Sequence, residues 1–121
     1  MLYRSFLSRR ALRLVYKVLF DSGATYSIMR KDIAEKLGHI EPLPEPMEFS
    51  TVEDGRKLKA EGVVRLEFYI DGVRFSDEFI VMDGITEDVI IGAKTMQAWR
   101  FRLDFEKEKV ILERKAIELR I

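Results

Sequence analysis

The amino-acid sequence predicts an all-β fold: a closed, barrel-like set of hairpins with two short helices, in a single-lobed subunit. Three observations predict it. Short segments alternate apolar and polar residues, the period of a strand with one buried face; Leu66, Phe68 and Ile70 against Glu67, Tyr69 and Asp71 are the clearest case. Asp-Gly pairs stand between such segments at 54–55 and 71–72, and this dipeptide suits the positive φ angles of a tight hairpin. Helical spacing occurs in only two places, both short.

Residues 12–20 read as the first strand, rich in β formers. A tight loop begins at Asp21. Residues 30–37 read as a short helix, because Met29, Ile33 and Leu37 recur every four positions. Asp32 and Lys36 are spaced to pair along it, and Gly38 is placed to end it. Pro42, Pro44 and Pro46 enforce an extended connection and exclude helix. Residues 47–52 and 56–63 flank Glu53-Asp54-Gly55 as one hairpin, and a second turns at Asp71-Gly72. Val89-Ile90-Ile91 is a continuous apolar run, as in a strand buried on both faces. Gly92 ends it, and residues 93–99 form the second helix. Phe101, Leu103 and Phe105 alternate, and 110–112 and 117–121 supply the last strands. Trp99 and the eight Phe are expected in the core, and His39 on the surface.

A length of 121 residues and an apolar fraction of 47% suit one domain with one core. It is read as spanning 1–121, with a core of about 12–112 and C-terminal strands in 110–121. Lys+Arg and Asp+Glu number 21 each, so neither a nucleic acid nor a membrane is an expected partner. No apolar stretch approaches the ~20 residues that cross a bilayer, and a cytoplasmic location is expected. The absence of Cys excludes disulfides, thiolate nucleophiles and cysteine metal sites, and one His leaves no histidine cluster. Neither metal nor cofactor is expected. Residues 1–20 carry Arg4, Arg9, Arg10, Arg13 and Lys17 and no acid, the composition of a targeting leader. Removal as far as Phe20 would delete the strand that leads into Asp21, so a structural role is preferred.

The chemistry concentrates at Asp21-Ser22-Gly23-Ala24, directly behind Val18-Leu19-Phe20. This order places one carboxylate on a tight loop at the end of a buried strand. Gly23 lets a substrate backbone approach, and Ser22 can lock the loop by hydrogen bonds. The plain alternative is an Asx-type turn that only reverses the chain. Two carboxylates forced together cannot both ionise, so they share a proton; one then acts as base and the other as acid. The chain has one such loop. Asp83, Asp88 and Asp104 read as loop or solvated residues. A pair therefore calls for a twofold dimer, in which one residue per chain suffices.

With these residues in view, the chain resembles the retropepsin-like aspartic proteases over roughly residues 14–112. Asp21-Ser22-Gly23-Ala24 is similar to the family's acid loop. Tyr26-Ser27-Ile28-Met29 resembles the stretch that follows it. The Glu53-Asp54-Gly55 hairpin falls where the family has its flap, and Val89-Ile90-Ile91-Gly92-Ala93 resembles the second marker ahead of a short helix. The resemblance implies the acid-protease fold and a homodimer whose two Asp21 carboxylates activate water to hydrolyse an extended polypeptide. It implies that Ser22 bonds across the dimer and that Gly23 and Ala24 belong to the acid loop. Ile28 and Ile90 would line side-chain pockets, and Glu53, Asp54 and Gly55 would close over substrate. Two departures stand out. The hairpin tip Glu53-Asp54-Gly55-Arg56-Lys57 is charged where viral members have an apolar, Gly-rich tip. The chain also continues past the marker helix through the charged stretch 106–109. A module that dimerises or binds peptide without turnover is the alternative function. A nucleic-acid accessory role for the basic N-terminal strand is a weaker one.

Overall fold

The computed structural model describes residues 2–8, 11–50, 55 and 57–112, with side chains from Val15 onward. Its elements run β1 (Leu2–Ser8), β2 (Ala11–Phe20), β3 (Ile28–Arg30), α1 (Lys31–Leu37), β4 (Ile40–Ser50), β5 (Lys57–Ile70), β6 (Val73–Met82), β7 (Val89–Ile91), α2 (Ala93–Ala98), β8 (Arg102–Asp104) and β9 (Lys109–Ile111). Seven strands form one sheet in the order β1-β2-β7-β3-β6-β5-β4. β1 also pairs with β5, through Leu7↔Tyr69 and Ser8↔Phe68. The sheet thus runs back on itself in a barrel-like ring, with β4 as its outer edge. β8 and β9 form a separate two-stranded sheet.

Local chemistry explains most elements. The β5–β6 hairpin turns at Asp71 (φ 51°) and Gly72 (φ 76°), the two consecutive positive angles of a type I′ turn. α1 stops at Gly38, but in an extended conformation, φ −167°. Glycine is needed there for space: a Cβ would lie 2.9 Å from Val64 Cγ2 and 3.0 Å from Leu66 Cδ2. The prolines lie within β4 instead of ahead of it. Their register against β5 breaks between Pro42 and Met47, an irregularity tolerated on an edge strand that needs no full ladder.

Several expectations are corrected. The N-terminal basic segment contains β1, antiparallel to β2 from Leu2↔Phe20 to Leu7↔Val15; its apolar residues come in adjacent pairs without strand alternation. Asp32 pairs with Arg30 Nε at 2.7 Å, not along the helix with Lys36. Ile90 is only half-buried, so β7 is not covered on both faces. Phe105 is 56% exposed, because it follows β8 into a turn, and Phe49 is half-buried. The last expected strand, 117–121, lies outside the described residues.

The main core gathers Val18 and Phe20, Met29, Ile33 and Leu37, Phe68, Phe75 and Phe79, and Ile91, Trp99 and Phe101. Phe75 meets Trp99 edge-on at 5.2 Å and Phe101 at 4.9 Å. Each such side chain contributes about 1.5–3 kcal/mol on burial. This core packs against one face of β2, β7, β3 and β6 and leaves the opposite face for the site.

Candidate active site

The sheet order decides where Asp21 stands. β7 lies between β2 and β3, parallel to the first and antiparallel to the second. The connection from β2 to β3, residues 21–27, must therefore arch over the end of β7. The chain leaving β7 passes beneath that arch at Gly92. A Cβ on Gly92 would fall 2.4 Å from the Tyr26 carbonyl oxygen and 2.9 Å from that of Ala24. The approach leaves no room for a side chain.

Hydrogen bonds then fasten the arch. Asp21 N–H donates to Ile91 O at 3.0 Å, Ala93 N–H to Ala24 O at 2.7 Å and Lys94 N–H to Thr25 O at 3.0 Å. The last two donors belong to the first turn of α2 and have no partner within the helix. Gly92 N–H donates to Ser27 Oγ at 3.1 Å, and Ser27 Oγ bonds Thr95 Oγ1 at 2.6 Å; both hydroxyls are buried. The loop is thus held by Ser27 and Thr95. Ser22, expected to lock it, is exposed, as is Gly23. The partly buried Asp21 carboxylate accepts Gly23 N–H at Oδ1, 2.9 Å. A Cβ on Gly23 would lie 3.2 Å from that oxygen, so glycine leaves the acid uncrowded.

The face away from the core carries a row of apolar side chains. Registers place Leu19 beside Ile90, Ile90 beside Ile28 and Ile28 beside Ile80 across four strands. Ile28 and Ile90 were expected at the site and do stand together. Leu19 and Ile80 were missed, because their place in the row depends on strand pairing. Ile80 and Met82 join Ala60 in a second apolar cluster, with Tyr26, Ile28, Phe49, Leu58 and Ile85 packed on it. The β4–β5 hairpin reaches this face through Phe49, whose ring meets Tyr26 edge-on at 6.2 Å. Of the expected tip residues, Gly55 has φ +65° with open space around it; Glu53 and Asp54 lie outside the described residues.

A clasp holds the segment ahead of β7. The Arg30 guanidinium bonds Asp88 Oδ1 at 3.1 Å, Thr86 O at 3.0 Å and Asp32. Asp88 Oδ2 also accepts Lys17 N–H at 3.1 Å. The hydrogen bond to Asp32, then the two nearby carboxylate charges, raise the Arg30 pKa against the effect of burial. Asp88, read from sequence as an ordinary loop residue, is this anchor. Among the described residues no group of three or more His, Asp or Glu could hold a metal ion, and no helix is long and apolar enough to cross a membrane.

Comparison with known proteins agrees with this geometry. The family described as retroviral aspartyl protease matches residues 12–118. The structure is similar to the retroviral protease-like domain of Ddi1 from Leishmania major, at 24% identity and a TM-score of 0.73, covering 93% of this chain and 88% of that one. It is also similar to EIAV protease complexed with the inhibitor HBY-793, at 17% identity and a TM-score of 0.64, covering 85% and 91% respectively.

Proposed function

The chain belongs to the retroviral aspartyl protease family, and on that premise we propose that it is an aspartic endopeptidase acting as a homodimer. The observation that carries the reading is the arch itself: Asp21, the one acid of residues 21–27, stands on a loop fixed from below by Ser27, Thr95 and the first turn of α2. A rigid loop is what a shared-proton pair needs, since two carboxylates must be held in register. In the dimer one Asp21 takes a proton from water while the other gives its proton to the carbonyl oxygen. Water oxygen bonds to the carbonyl carbon. The first Asp21 then gives the proton it took to the amide nitrogen while the other takes one back from a hydroxyl of the tetrahedral intermediate, so that the C–N bond breaks, the carbonyl re-forms and the neutral amine leaves. Ser22 bonds across the twofold axis, and Gly23 and Ala24 face the substrate backbone. Ile28 and Ile90, with Leu19 and Ile80, form the floor under its side chains. The hairpin tip, Glu53, Asp54 and Gly55, folds over an extended polypeptide and adds strand-like hydrogen bonds.

The test pairs solution mass with hydrolysis of an unstructured polypeptide from acid to neutral pH. A dimer with an acidic rate maximum that Asp21→Asn abolishes is expected. A monomer at all concentrations, or cleavage unchanged in the variant, refutes the reading. The charged tip, Glu53 to Lys57, favours a second reading, a peptide-binding dimer without turnover. Peptide binding with no hydrolysis at any pH would establish it.

A further inference from the structure

Lys94 is held against the acid loop by its own backbone, whose N–H donates to Thr25 O at 3.0 Å. Its ammonium lies 5.0 Å from the centre of the Tyr26 ring, and Tyr26 in turn meets Phe49 of β4. One line of contacts therefore runs from α2, across the loop that carries Asp21, to the hairpin. This line borders the apolar face of Ile28 and Ile80. Elsewhere on the fold Arg30 is paired with Asp32 and Asp88, and Lys31 with Glu61. Among the described residues no carboxylate pairs with Lys94, and its side chain is exposed. A cation resting on an aromatic face is held in place by the ring quadrupole. It therefore loses less side-chain freedom on meeting a carboxylate than a free lysine does.

Resting on the peptide-groove reading above, we propose that Lys94 determines specificity: it selects extended peptides that carry an acidic side chain within a few residues of the apolar residue seated on the site floor. Twofold symmetry puts one Lys94 on each flank of the scissile bond, so the preference applies to both sides of it. A solvated pair of this kind gives about two- to fivefold per site, and the effect falls as salt rises.

The test uses fluorescein-labelled peptides with a central Leu-Phe pair and Glu, Gln or Lys scanned through the flanking positions. Binding to the Asp21→Asn protein is read by anisotropy, alone and combined with Lys94→Gln or Lys94→Glu. The expected result is about two- to fivefold tighter binding for Glu than for Gln at one position or more, weakest binding for Lys, and loss of the difference at high salt. Lys94→Gln flattens the ranking and Lys94→Glu reverses it. The same ranking in all three proteins, or no binding of any peptide, overturns the proposal. Hydrolysis of the same peptides by the wild-type protein tests the peptidase reading separately. Charge-ranked binding without cleavage upholds Lys94 as a selector and refutes peptidase action.

Discussion

Replacing Gly92 by Ala tests the arch directly. Its φ of −94° suits any residue, so backbone conformation adds no penalty and the cost is steric. Three backbone atoms surround the new methyl, at 2.4, 2.6 and 2.9 Å. The Tyr26 carbonyl must retreat by about 0.6 Å to restore the 3.0 Å that real Cβ atoms respect. Overpacking of this kind costs about 1–3 kcal/mol. The same shift stretches the bonds from Gly92, Ala93 and Lys94 to the loop, and losing one or two adds about 1 kcal/mol each. A total near 2–5 kcal/mol is expected, against a typical stability of about 5–15 kcal/mol. Urea unfolding at fixed protein concentration measures it, and the hydrolysis proposed above is expected to fall further than stability does because Asp21 rides on the displaced loop. The control is Gly72→Ala, with φ +76° and nothing within 4 Å, which costs about 1 kcal/mol through strain alone. If Gly92→Ala unfolds within about 0.5 kcal/mol of wild type, the close approach is wrong and the arch is not held as described.

Two further outcomes follow from named contacts. Ser27→Ala leaves the Gly92 N–H and the Thr95 hydroxyl buried without their partner and is expected to cost about 1–3 kcal/mol; adding Thr95→Val recovers part of it, and strictly additive losses in the cycle would refute the coupling. The Asp32 carboxyl is held below its usual range by the hydrogen bond from Arg30 and by that charge, against burial. Its contribution is thus fully present above the unfolded pKa of about 3.9 and disappears as pH falls through the lower folded value. The stability gap between wild type and Asp32→Asn is therefore expected to be small, below about 1 kcal/mol for so exposed a group, and to close in acid. A gap that widens as pH falls contradicts the sign.

What could be read in the sequence was local. The Asp71-Gly72 turn, the half-buried alternation of β5 and the glycine after β7 each carry their cause within a few residues. Asp21 stood out for the same reason, since an acid behind an apolar run and before a glycine is a local pattern. The bonds that hold it are not local. Ser27 and Thr95 are 68 positions apart and Lys17 and Asp88 are 71 apart, so nothing near Ser27 distinguishes it from Ser22. Ile28 and Ile90 stand out through family resemblance; Leu19 and Ile80 join their row only once strands pair. Tyr26 and Lys94 gain meaning from a ring contact that spacing does not encode. β1 is not legible because its apolar residues fall in adjacent pairs, Leu2-Tyr3 and Phe6-Leu7, and do not alternate with polar ones.

The threading of β7 beneath the loop also sets an order of events. A nascent chain that has emerged only through β6 possesses Asp21 but not the strand, glycine and hydroxyl that fix it. The loop that carries the acid is fastened only after the segment through Thr95 has been made and inserted between partners encoded long before. Ordering of the acid loop is therefore a late event of synthesis, and its timing comes from topology.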